Sequence, residues 1–116
     1  MRHHSNVRKF GREKNQRHAL MSSLARNLIR DSRITTTTAK AKELRPMIEK
    51  LVTKAKTATV ASRRLVNTRI KSAAETKKLF DVIAPKYAGR AGGYTRIIRL
   101  PDRKLDNSPM SIIEFV

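Results

Sequence analysis

Apolar positions recur along this chain at two spacings, and the change from one to the other maps its elements. From Asn15 onward, Leu20, Met21, Leu24 and Leu28 fall on one side of a 3.6-residue helix, with Arg26 and Arg30 opposite. That predicts a helix ending near Asp31, with Leu24 central to its buried stripe. Residues 33–37 (RITTT) are largely β-branched and predict a short strand. Thr38 can then cap a second helix, residues 39–56, striped by Ala41, Leu44, Met47, Ile48, Leu51 and Ala55. Leu51 is its central core position. Pro46 projects from the opposite face and predicts a kink or, failing that, a break with Pro46 opening a shorter helix.

The second half reads in the same way. Residues 59–70 suit a short helix of weak periodicity. Ser72 and Glu75, three apart, match a capping box ahead of a helix that buries Leu79, Phe80 and Ile83 and ends after Ala84, before Pro85. Gly89, Gly92 and Gly93 mark turns, Gly93 needing an unusual backbone conformation or a close approach. Residues 94–100 and 110–116 are strand-like, joined by a Pro-, Asp- and Asn-containing hairpin loop over 101–109. The order α-β-α-α-α-β-β predicts an α+β fold of two layers. Helices pack on one face of a small three-stranded mixed sheet. Residues 15–116 form one domain, and residues 1–14 stand apart as an extended basic arm with few core residues.

Charge changes the picture from fold to function. Twenty-seven Lys and Arg against nine Asp and Glu leave a formal net charge of +18 on 116 residues. Such an excess opposes compaction and calls for a polyanion: nucleic acid, an anionic membrane or an acidic protein. A surface-lying membrane helix needs aromatics or many leucines opposite its lysines, and this chain has no Trp. With aromatics at 4 %, there is no stacking platform of the single-strand-binding kind, so folded RNA or duplex is the better partner. The basic excess runs through the whole chain, which a cleaved transit peptide would not explain.

Catalysis has little support. There is no Cys, and the acids are scattered singly. His3, His4 and His18 lack the further ligands a metal needs, so no metal or other cofactor is expected, and their rings suit phosphate or base contact. The candidate RNA-binding residues are Arg2, His3, Arg8, Lys9, Arg12, Lys14 and Arg17 at the arm and first helix. Arg90, Arg96, Arg103 and Lys104 add contacts from the sheet end. Arg96 shares a strand face with Tyr94 and Ile98 and must sit at the sheet margin or face RNA. Tyr94 either packs on the sheet with its hydroxyl bonded or stacks on a base.

Several blocks carry a family resemblance: MRH at 1–3, Gly11-Arg12, ITTTTAKAKELR at 34–45, RAGGYTRI at 90–97, and DNSPM followed by IIE at 106–114. In this order they resemble bacterial large-subunit ribosomal protein seventeen, over nearly the whole chain. The resemblance implies a non-catalytic structural constituent of the large ribosomal subunit in the bacterial cytoplasm. It further implies contact with large-subunit ribosomal RNA near the outer end of the peptide exit tunnel, beside ribosomal protein thirty-two. The chain departs from the family pattern at Gln16, usually His, at Pro46, and at Leu105, customarily Gly. The competing classes are a nucleoid-type DNA-binding protein, which needs a dimer interface and a groove-reading element, and a nucleic-acid-processing enzyme, which needs clustered acids.

Overall fold

A computed structural model describes residues 8–116. Helix α1 spans Lys14–Asp31, strand β1 Arg33–Thr37, α2 Thr38–Thr57 and α3 Val60–Ile70. Helix α4, Ala73–Lys78, runs on through a wide π turn, Leu79–Ile83, into a 3-10 turn, Ala84–Tyr87. Strands β2, Thr95–Leu100, and β3, Met110–Phe115, close the chain.

The sheet order is β1-β3-β2, and both pairings are antiparallel. The expected mixed sheet is corrected here. Strands β1 and β2 do run the same way, but β3 lies between them, so every neighbouring pair is antiparallel. In register, Ile34, Ile113 and Ile97 form a row on the inner face, under the helices. Arg33, Glu114 and Arg96 form a row on the outer face, next to Thr35, Ile112 and Ile98. The helices cover one face only, as the two-layer reading expects.

Helix α2 is the spine. Ala41, Leu44, Ile48, Leu51, Val52 and Ala55 are all buried, and Thr37, not the expected Thr38, caps its start by accepting from the Lys40 N–H. Pro46 does not break it. Pro46 and Lys42 are both exposed, so water can take the Lys42 carbonyl that Pro46 cannot bond. The hydroxyls of Thr38 and Ser111 meet in the core at 2.7 Å, tying the spine to the central strand.

Three readings are corrected by the packing. On α1 the buried residues are Ser22, Ala25, Leu28 and Ile29, while Leu24 is only half-buried. Small Ser22 and Ala25 carry little hydropathy but face the neighbouring elements directly, and Leu24 packs against the core from the edge of that face. The Ser72 side chain makes no bond to the helix backbone at its cap; its hydroxyl bonds the Glu75 carboxylate instead. A reciprocal capping box does form at the start of α3, between Thr59 and Ser62. Finally, Pro85 does not end the last helix. It sits in the first half of the 3-10 turn, where its missing N–H costs nothing.

Gly92 and Gly93 lead into β2 with φ of +95° and +65°. A methyl at Gly93 would meet nothing nearer than the Arg90 side chain at 3.8 Å, so the backbone angle alone demands glycine. That turn delivers Tyr94 into the core, 1 % exposed. Its hydroxyl donates to the Arg90 carbonyl at 3.2 Å and accepts from Lys56 Nζ at 3.1 Å. Tyr94 is thus a packing residue, with its ring 5.2 Å from that of Tyr87.

Candidate nucleic-acid interface

Arg2 and His3 lie outside the described residues. The remaining candidates fall into separate groups, held by different elements.

The first group surrounds the start of α1. The chain turns through Phe10 and Gly11, both left-handed, and the Arg12 N–H closes the turn on the Lys9 carbonyl at 3.1 Å. Arg12 Nη1 also donates to the Phe10 carbonyl at 2.8 Å. This turn half-buries Phe10 and brings Arg8 to α2, where its guanidinium meets Glu43 at 3.0 Å. The expected arm therefore has a docked stretch, residues 8–13, and α1 starts at Lys14. Lys9 and Lys14 are exposed, and Arg17 is half-exposed on the first turns of α1.

Arg17 lines a groove between α1, α2 and α3 together with Arg8 and two cations that were not foreseen, Arg69 and Lys71 at the end of α3. Two bonds from α1 fix that end. Ser22 Oγ donates to the Arg69 carbonyl at 2.8 Å, and Arg26 Nη1 donates to the Ile70 carbonyl at 2.8 Å. These carbonyls carry the negative end of the α3 dipole, and both are already occupied. Among the described residues, Arg17, Arg69 and Lys71 make no ion pair. A basic residue at the end of a helix is a common C-terminal preference, so the sequence offered no signal separating Arg69 and Lys71 from a bland cap.

The sheet-end candidates do not gather in one place. Arg103 and Lys104 lie in the hairpin loop, which is anchored to the start of α2 by the Thr38 N–H on the Pro109 carbonyl at 2.9 Å. Arg103 grips Asp106 with two bonds, at 3.0 and 2.7 Å, and that clamp holds the Asp106 carboxyl well below its ordinary range. Asp106 also accepts from the Ser108 N–H at 3.1 Å, so the pair shapes the loop. Lys104 and Leu105 project into solvent, Leu105 at 96 % exposure.

Arg90 and Arg96 sit at the other end of β2. Arg90 is exposed in the turn. Arg96 lies on the outer sheet face, and Nε meets Glu114 at 2.8 Å, with Arg33 on the far side of the same carboxylate at 3.7 Å. The Arg96 bond keeps the Glu114 carboxyl below its usual value. Arg33 was missed because a lone Arg opening a strand carries no signal until its cross-strand partner is known.

Comparison with known proteins decides what this basic body is. Residues 20–116 match the family model for ribosomal protein L17. The chain belongs to the ribosomal protein L17 family. The large ribosomal subunit protein bL17 of Sphingopyxis alaskensis is 51 % identical over all 116 residues, which cover 84 % of that protein. The bL17 of Thermomicrobium roseum is 48 % identical, with all of this chain matching 99 % of it. That of Rhodopseudomonas palustris is 47 % identical across the whole chain and 86 % of its own length. As an L17-family member the chain is a structural ribosomal protein and not an enzyme.

Proposed function

We propose that this chain is a structural constituent of the large ribosomal subunit in the bacterial cytoplasm, binding folded large-subunit ribosomal RNA mainly through phosphates. The full-length similarity to proteins named for that subunit carries the reading. The fold supports it by leaving Lys9, Lys14, Arg17, Arg69, Lys71, Arg90 and Lys104 outside the ion pairs formed among the described residues. The arm, residues 1–14, and the first helix with Arg17 supply the densest contacts, and the sheet-end cations add to them. The protein lies near the outer end of the peptide exit tunnel with protein thirty-two as a neighbour.

Sedimentation tests the proposal directly. The protein travels with large subunits and leaves only at high salt, because each neutralised phosphate releases counterions. Chemical crosslinking within the subunit tests the tunnel-exit neighbourhood. Removing residues 1–14 flattens the salt dependence of RNA binding, by roughly 0.7–0.9 for each phosphate no longer neutralised. Free migration at low salt, or equal binding to duplex DNA, defeats the proposal.

A further inference from the structure

The groove between α1, α2 and α3 has two chemistries that phosphate binding alone does not use. Its walls are apolar: Met21 from α1, Met47 from α2, Leu65 from α3 and Phe10 from the incoming chain. Its rim is cationic, with Arg17, Arg69 and Lys71. Leu65 is 56 % exposed, so its aliphatic side chain lies open at the mouth of the groove. The cavity holds about 550 Å³, within the roughly 300–1,000 Å³ of sites for single small molecules. It is much too small for a duplex.

We infer that this groove takes one unstacked nucleotide of the RNA. Its base lies against Met21, Met47 and Leu65, and its flanking phosphates lie on Arg17, Arg69 and Lys71. The inference rests on the RNA-binding reading and specifies what enters one part of that surface. Charge complementarity selects the occupant. An apolar side chain from a neighbouring protein would fill the walls but leave three cations facing one another. A nucleotide carries a flat, weakly hydrated base a few bonds from two anions, and answers both. Bases splayed from loops and bulges are the usual target of specific RNA recognition.

The groups that would repel phosphate are already engaged. Arg8 holds Glu43, and Ser22 and Arg26 occupy the carbonyls that end α3. The hydroxyls of Ser22 and Thr68 both donate to backbone carbonyls, leaving no hydroxyl donor for a base edge. His18 lines the groove as well and can meet a base edge, while the apolar walls favour the larger area of a purine.

The test uses the full chain. Leu65→Ser removes apolar wall at an exposed position and keeps the charge. Ribosomal RNA of the large subunit is titrated across salt concentrations, and methyl NMR signals are followed with adenosine monophosphate and, separately, inorganic phosphate. The expected result is that the Met21, Met47 and Leu65 methyls move with the nucleotide and not with phosphate. Leu65→Ser then binds the RNA about tenfold more weakly at every salt concentration with an unchanged slope, the scale of losing one stacked base, whereas Arg69→Gln lowers the slope. Methyls that ignore the nucleotide, or a Leu65→Ser protein that binds as the wild type does, overturn the inference while a steep wild-type slope keeps the RNA reading. A wild-type protein with no salt-dependent RNA affinity overturns both. Loss of a neighbouring protein from reconstituted subunits, with RNA affinity intact, assigns the groove to a protein side chain and also overturns it.

Discussion

The groove between the helices and the sheet with its hairpin both carry arginines, but those arginines are in different electrostatic states. On the outer sheet face, Glu114 lies between Arg33 and Arg96, its side chain only 13 % exposed. In the hairpin, Arg103 is closed on Asp106. In the groove, Arg17, Arg69 and Lys71 face a space with no carboxylate except Glu43, which Arg8 already holds. A guanidinium bound to a carboxylate must give up that partner, or share it, to take a phosphate. One aimed at open solvent gives up only water. Net charge alone therefore overstates how much of a basic surface is available, and the few acids decide which cations are committed to the fold.

Four experiments sharpen or break that contrast. The largest effect is expected beneath the groove. Ile70 is fully buried between the two rim cations of α3, and Ile70→Ala should cost about 2–5 kcal/mol in chemical denaturation. Ile98, 41 % exposed on the outer sheet face, should lose about 0.5 kcal/mol or less as Ala. Equal losses would mean the sheet face is as much a part of the core as the helix layer.

Next comes the salt slope of RNA binding. Arg17, Arg69 and Lys71 all changed to Gln should lower it by about 2 to 3, at roughly 0.7–0.9 per neutralised phosphate. Arg96→Gln and Arg103→Gln together should lower it less, since both are committed to carboxylates. A larger drop for the sheet pair reverses the comparison.

A smaller effect concerns folding. Arg96→Ala should lower the melting temperature of the free protein, and a double-mutant cycle with Glu114→Gln should be non-additive. From its sequence, Arg96 sits at the sheet margin or faces RNA, with no partner in the fold foreseen. The Glu114 partner revises that. An additive cycle would return Arg96 to the role of RNA contact alone.

The smallest effect is in pH. Arg96 holds the Glu114 carboxyl below its ordinary value, so the carboxylate favours the folded state above the unfolded pKa. That contribution is lost as pH falls through the folded pKa. Wild type should melt above Glu114→Gln at neutral pH, and the gap should begin to close as pH falls below the ordinary Glu value of about 4.3. A gap that persists at low pH would show that shape, not charge, holds the outer row.

The order of elements was legible because each depends on neighbours in sequence. β-Branched Thr35, Thr36 and Thr37 make β1, and the 3.6 spacing of Leu44, Ile48, Leu51 and Ala55 makes α2. Glycine at 93 before Tyr94 announces a left-handed turn, and φ is +65° there. The basic start of α1 was visible too, as was the family. The groove was not, because Arg69 and Lys71 come from α3 and Arg17 from α1, some fifty residues earlier. Only helix packing through Ser22 and Arg26 brings them together.

The chain's own pattern determined which segments are helix and strand, that they form two layers, and that the protein carries a large excess of basic charge. These follow from local spacing and from summed charge, neither of which depends on who touches whom. Tertiary structure alone decided that β3 is the central strand, that small Ser22 and Ala25 are buried on α1 while Leu24 packs at the edge, and which arginines have partners. Those outcomes depend on volume and distance between residues far apart in the chain. A buried face is chosen by how closely two elements can approach, and an ion pair by whether a carboxylate arrives within about 4 Å. Hydropathy and charge counts record neither.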